Sequence, residues 1–188
     1  MTTKQQTSIT MIAVLIAAVA VIVLIVFYAR MKQSIKGALS GNYFSDDELI
    51  ASETAKKLGL DNTPSEATWK KLYALRDHVL NPAREQLGSY IRVNCAYRSE
   101  AVNAAVGGVS NSQHKTGEAA DITAGSKIKN RELFKILVSL NNYDQLIWEK
   151  DGSWIHVSHR ASGNRGQILA YNGSKYVDIK SNWEGVIA

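Results

Sequence analysis

Apolar positions fall in three regimes along this chain. The first runs from Met11 to Ala29 (MIAVLIAAVAVIVLIVFYA) almost without interruption, and no charged residue occurs between Lys4 and Arg30. About 20 such residues rising ~1.5 Å each cross the ~30 Å hydrocarbon core of a bilayer. A cleaved signal peptide has a shorter apolar core of roughly 7–15 residues and a small-residue cleavage site. This run is longer and ends in Phe27, Tyr28 and Arg30, which suit an interface anchor. The pattern predicts a tail over residues 1–8 and one transmembrane helix over residues 9–29, making a single-pass membrane protein.

The second regime has helical spacing. After a Gly/Ser-containing linker over residues 30–42, a domain is expected over residues 43–188. Ser45 before Asp46, Asp47 and Glu48 reads as an N-cap with an acidic first turn, and Leu49, Ile50, Ala55 and Leu58 extend one apolar face to Gly59. A second helix over residues 69–87 rests on Trp69, Leu72, Tyr73, Leu75, Val79 and Leu80, with a kink at Pro82 and a stop at Gly88.

The third regime is mostly of period two. Short strands are predicted over residues 90–93 and 119–123, around a Gly/Asn/Ser-rich loop with a helical turn at residues 100–106. An amphipathic helix over residues 130–140 precedes two hairpins, 144–149 with 154–158 around Asp151-Gly152, and 167–171 with 175–179 around Asn172-Gly173. Helices first and strands later predict an α+β domain of helices packed on an antiparallel sheet.

Charge refines this division. All 17 acidic residues lie beyond Lys36, while Lys4, Arg30, Lys32 and Lys36 are four of the 22 basic ones. The formal +5 therefore comes mostly from the membrane flanks, which suit lipid headgroups. The domain has no basic footprint for nucleic acid. The single cysteine, Cys95, excludes an internal disulfide and a Cys-based zinc knuckle, and reads as a small buried strand residue.

Two of the four histidines stand in suggestive company. In Ser112-Gln113-His114-Lys115-Thr116-Gly117-Glu118-Ala119-Ala120-Asp121 a loop His precedes a strand Asp, with Gly117 allowing a tight turn. Imidazole and carboxylate are both good zinc ligands, and three protein groups leave a fourth position for water. The first hairpin supplies the third group. Alternation puts Trp154, His156 and Ser158 on one face of the strand, and Ile155, Val157 and His159 on the other. Only one of the two histidines can reach the metal, and spacing alone does not choose. His156 sits mid-strand, whereas His159 falls at the strand end beside Arg160, where a solvated side chain is expected. Glu149 is returned by the turn to the neighbourhood of Trp154 and can serve as base for an attacking water. Asp151 is explained by the turn, Glu118 is expected to be solvated, and His78 reads as a surface or packing residue.

At these residues the chain resembles the M15 zinc peptidases, the D-Ala-D-Ala carboxypeptidases and phage L-alanyl-D-glutamate endopeptidases. Their S-x-H-x-x-G-x-A-x-D signature stands as Ser112 to Asp121, their W-x-H motif as Trp154-Ile155-His156, and their Tyr-Arg segment as Ala96-Tyr97-Arg98-Ser99. Two departures stand out. Asn94-Cys95-Ala96 replaces the usual Ser-Gly pair, and Ser153 occupies the place three before the last His where some members carry their catalytic Glu.

The resemblance implies a small Hedgehog/DD-peptidase-like fold with one zinc ion held by His114, Asp121 and His156. It further implies Glu149 as general base and acid, and Arg98 over the oxyanion. Ser112, Gln113 and Tyr97 are the expected substrate contacts. The activity implied is hydrolysis of peptidoglycan stem peptides by a D,D-carboxypeptidase or L,D-endopeptidase. The alternative is a non-catalytic wall-binding or structural virion protein that keeps the fold. Arg30, Lys32 and Lys36 after the helix, against Lys4 before it, lean towards a cytoplasmic domain. A phage protein, released at lysis or held with other virion proteins in a lipid-containing particle, reconciles that lean with a wall substrate. The expected location is thus a phage virion membrane or the bacterial inner membrane.

Overall fold

The structure is a computed structural model that describes residues 19, 21–28 and 41–188. It divides into two units, Met1–Gly41 and Asn42–Ala188. In the first, residues 19 and 21–28 are helical (α1) and expose their apolar side chains. Most of the predicted membrane span lies outside the described residues, and among those described no helix is long and apolar enough to cross a membrane.

The second unit is a mixed α/β domain. The first predicted helix is two helices, α2 (Asp46–Ile50) and α3 (Glu53–Leu58), because a second serine competes for the role of cap. Ser45 Oγ accepts from Glu48 N at 3.2 Å and Ser52 Oγ accepts from Ala55 N at 3.1 Å, and each starts its own turn. Gly59, at φ 64°, closes α3 as expected.

Next come α4 (Glu66–Leu75), a π-helical turn (Arg76–Leu80) and α5 (Asn81–Leu87). Pro82 does not kink this segment in the simple way expected. Proline has no N–H for the His78 carbonyl, and the backbone widens just before it, with Asn81 N bonding to the Arg76 carbonyl. Asn142 Nδ2 fills the gap by donating to the His78 carbonyl at 3.1 Å.

The remaining elements are β1 (Arg92–Cys95), α6 (Glu100–Ala105), β2 (Ala119–Thr123), α7 (Lys127–Leu140), β3 (Gln145–Glu149), β4 (Trp154–Ser158), β5 (Gln167–Tyr171), β6 (Tyr176–Asp178) and α8 (Trp183–Ile187). The six strands lie in the order β1-β2-β4-β3-β5-β6. All pairs are antiparallel except β3 with β5.

One sheet face is apolar. Ala120, Ile122, Ile155, Val157, Leu146, Trp148 and Ile168 are buried together with Leu133, Phe134 and Leu137 of α7 and with Leu72, Leu75, Val79 and Leu80. Phe134 meets Trp148 edge-on with ring centroids 5.4 Å apart, inside the roughly 4.5–7 Å range that aromatic pairs favour. Each buried Val, Leu, Ile or Phe side chain contributes ~1.5–3 kcal/mol, so this face holds the sheet on its helices. The opposite face is left to carry Asp121, His156 and Glu149.

Candidate metal centre

Strand register assembles the site. β2 runs between β1 and β4, and Asp121 pairs with Cys95 on one side and His156 on the other. Paired residues point to one face, so the β2–β4 register brings Asp121 and His156 together. His114 arrives from the 3-10 turn Gln113–Thr116 that precedes β2. Gly117 ends that turn at φ 74°, and a Cβ there would stand 2.9 Å from the Thr68 carbonyl, so the position admits glycine only.

His114 is 3% exposed. Its Nδ1 lies 2.7 Å from the Ala96 carbonyl, which can only accept, so Nδ1 carries the hydrogen. Burial lowers the pKa of His114 and favours the neutral ring. Its Nε2 therefore presents a lone pair 3.4 Å from Asp121 Oδ1. His156 Nδ1 approaches the same oxygen at 3.0 Å, with the two imidazoles 5.1 Å apart between centroids. Burial works against the charge on Asp121, and only positive charge on the imidazole side outweighs it and holds the carboxyl far below the usual range, a role that a cation between the three groups would fill.

A lone pair aimed at a carboxylate is unfavourable unless a cation lies between them. Two imidazole nitrogens and one carboxylate oxygen converging in this way fit zinc, and the Ala96 carbonyl fixes the tautomer that such a ligand needs. Cys95 Sγ lies 4.0 Å from His114 Nδ1, and Cys95, His114 and Asp121 form a cluster of possible donor atoms within 4.8 Å of one another. The sulfur lies towards the nitrogen already committed to Ala96, and burial pushes its thiol up to about 11. We therefore assign it as a neighbour of the centre, where the sequence reading foresaw only a small buried residue.

Arg98 follows β1. Its backbone N–H donates to the His114 carbonyl at 3.2 Å, and its Nη2 stands 3.9 Å from Asp121 Oδ2. Arg98 and Asp121 border a cleft of about 270 Å³ that runs to Ser52 and Thr54 at the start of α3. Glu149 ends β3 opposite Trp154, on the face that carries His156. It is 7% exposed, and burial raises its pKa against the opposing influence of the nearby Tyr176 hydroxyl.

The expected substrate contacts fare unevenly. Ser112 is half-buried, and its side chain makes no cap bond. Gln113 is engaged elsewhere, its Nε2 donating to Asp144 Oδ2 at 3.0 Å. Tyr97 is buried in the core, its carbonyl accepting from Asn62, and offers no open face to a substrate. His159 is not solvated as expected: it is buried on the opposite side from His156, with Nδ1 3.1 Å from the Asn142 carbonyl. Glu118 is half-buried too, accepting from Thr116 Oγ1 at 2.8 Å and pairing with Lys71 at 3.1 Å. His78 is on the surface and Asp151 is in the turn, at φ 55°, as expected.

Two residues near the site were not foreseen. Asp144 is fully buried, receives Arg165 Nε at 2.9 Å and Gln113, and lies 3.3 Å from Arg160 Nε. Tyr176 comes from the last hairpin. Its signal was present in the spacing around Asn172-Gly173, which sets Tyr171 opposite Tyr176. A family model described as Peptidase M15 matches residues 42–158, more than half of the chain. No curated protein matches the sequence.

Proposed function

Since the chain belongs to the M15 peptidase family and is a peptidase on that ground, we propose that it hydrolyses stem peptides of bacterial peptidoglycan with one zinc ion held by His114, Asp121 and His156. The convergence of His114 Nε2 and His156 Nδ1 on one oxygen of Asp121 carries this reading. Bound there, zinc supplies Lewis acidity that makes water a better nucleophile and the scissile carbonyl more electrophilic.

The protein's own groups do the rest. Glu149 accepts the proton of the attacking water and returns it to the leaving amine, and its burial brings its proton affinity closer to that task. Arg98 offers a fixed positive charge beside Asp121 for the oxyanion, in a cleft lined by residues of α3 and β1 where the substrate backbone lies. Asp144 and Gln113 brace the turn that carries His114. The bond cut is of the D-alanyl-D-alanine or the L-alanyl-D-glutamate type. As setting we propose a phage-encoded protein anchored by residues 9–29 in a virion membrane or the bacterial inner membrane, acting in wall penetration or lysis.

Incubation with purified peptidoglycan, followed by mass spectrometry of the products, tests the reading. Cleavage is expected to stop on chelation and in Glu149→Gln with zinc still bound. Cleavage that survives both refutes it.

A further inference from the structure

A general base works only when its carboxylate is aimed. Glu149 stands at the end of β3, and the last hairpin supplies what it needs. β5 runs parallel to β3 with Trp148 beside Ala170, which carries the next residue, Tyr171, alongside Glu149. Tyr171 pairs in turn with Tyr176 of β6, and their rings lie 5.2 Å apart. Glu149, Tyr171 and Tyr176 thus form a row across the face that bears the metal centre. The Tyr171 hydroxyl donates to the Gly173 carbonyl at 2.9 Å, which staples its ring into the hairpin turn as a fixed support.

Tyr176 is 55% exposed, so burial of its ring does not account for its place. It stands on the face that carries Glu149, one strand beyond Tyr171, with its hydroxyl towards the Glu149 carboxylate. We propose that Tyr176 is a positioning residue for Glu149, holding one carboxylate oxygen so that the other faces the attacking water. This rests on Glu149 being the base. Burial and the neighbouring Glu149 push the Tyr176 phenol up to about 12, so it stays a donor through the working range. Tyr176 lies beyond residues 42–158, where the family match ends. The acid–base half of the site therefore draws on a segment outside that match.

The test compares Tyr176→Phe, Glu149→Gln and the double variant on a stem pentapeptide that contains both candidate bonds. Tyr176→Phe keeps the ring and its tilted contact with Tyr171, and bound zinc and melting temperature are expected to match the parent. Its kcat is expected to fall about tenfold with KM within about twofold, as for loss of a hydrogen bond to a charged group. Loss of the donor also disfavours the carboxylate, so the acidic limb of kcat/KM moves to higher pH. The double variant is expected to be no slower than Glu149→Gln. Parental kcat and pH profile in Tyr176→Phe, with Glu149→Gln inactive, overturn the positioning role alone. A double variant roughly tenfold slower than Glu149→Gln also overturns it. Full activity in Glu149→Gln overturns the base assignment and the positioning role together.

Discussion

Replacing Asn130 with Ala cuts the tie between β2, which carries Asp121, and the hairpin that carries Glu149 and His156. Asn130 is 1% exposed on α7. Its Oδ1 accepts from Ala124 N at 2.6 Å and Thr123 Oγ1 at 3.1 Å, while Nδ2 donates to the carbonyls of Gly152 at 2.8 Å and Ser153 at 3.2 Å. Thr123 and Ser153 reach solvent and can re-pair with water, but Ala124 and Gly152 are buried. Leaving those two backbone groups unpaired costs about 1–3 kcal/mol each, so the expected loss is about 2–6 kcal/mol. At ~2–4 °C per kcal/mol for a domain of this size, the melting temperature falls by roughly 4–24 °C. In urea the midpoint should drop with an unchanged slope, because the surface exposed on unfolding is the same. Asn130→Asp sharpens the test. It keeps the acceptor but sets an anion against two carbonyls, so it should be at least as unstable at neutral pH and recover partly in acid. A loss below ~1 kcal/mol in Asn130→Ala would refute the clamp.

Other consequences can be checked on the same protein. Zinc at about a hundred times its Kd should stabilise the domain by about 2.7 kcal/mol, visible as a rise in melting temperature that Asp121→Asn abolishes. A parental protein indifferent to zinc would contradict the ligand set. Gly117→Ala meets both a positive φ and the Thr68 carbonyl at 2.9 Å. It should cost about 2–4 kcal/mol and weaken zinc binding measured by calorimetry. Asp144 titrates near about 2 against an ordinary 3.8, because the Arg165 and Gln113 hydrogen bonds overcome its burial. A lowered carboxylate stabilises the fold above its unfolded pKa and loses that contribution as pH falls from 3.8 towards 2. With its half-exposed arginines screened by solvent, the effect is about 1–2 kcal/mol. Asp144→Asn should therefore be destabilised at pH 7 and approach the parent as pH falls below 2, and equal losses at both would show that charge is not the cause.

Much of the site could be read from period and spacing because sheets make that reading local. Once β4 is a strand, alternation separates His156 from His159, but which of them meets Asp121 depends on the β2–β4 register, which pairs Asp121 with His156. What alternation does not reveal is the fate of the rejected side. His159 is buried because α7 ends at Leu140 with Asn141 as its cap, which brings the Asn142 carbonyl within reach, a partnership formed across the chain. The break between α2 and α3 escaped notice because Ala55 and Leu58 continue the apolar face through Ser52, and periodicity does not register a second cap. Asp144 looked like the first residue of a strand, since its arginines come from the later loop at Arg160 and Arg165. The widened turn before Pro82 likewise depends on Asn142, far along the chain.

The strand order has an evolutionary consequence. The three proposed ligands lie on β2, β4 and the turn before β2, which pair with one another without help from β5 or β6. The last hairpin is laid against the far edge of β3, with β6 outermost. Substitutions on the Glu149-facing side of the last hairpin can therefore reset the surroundings of the base while leaving the two histidines and Asp121 in place.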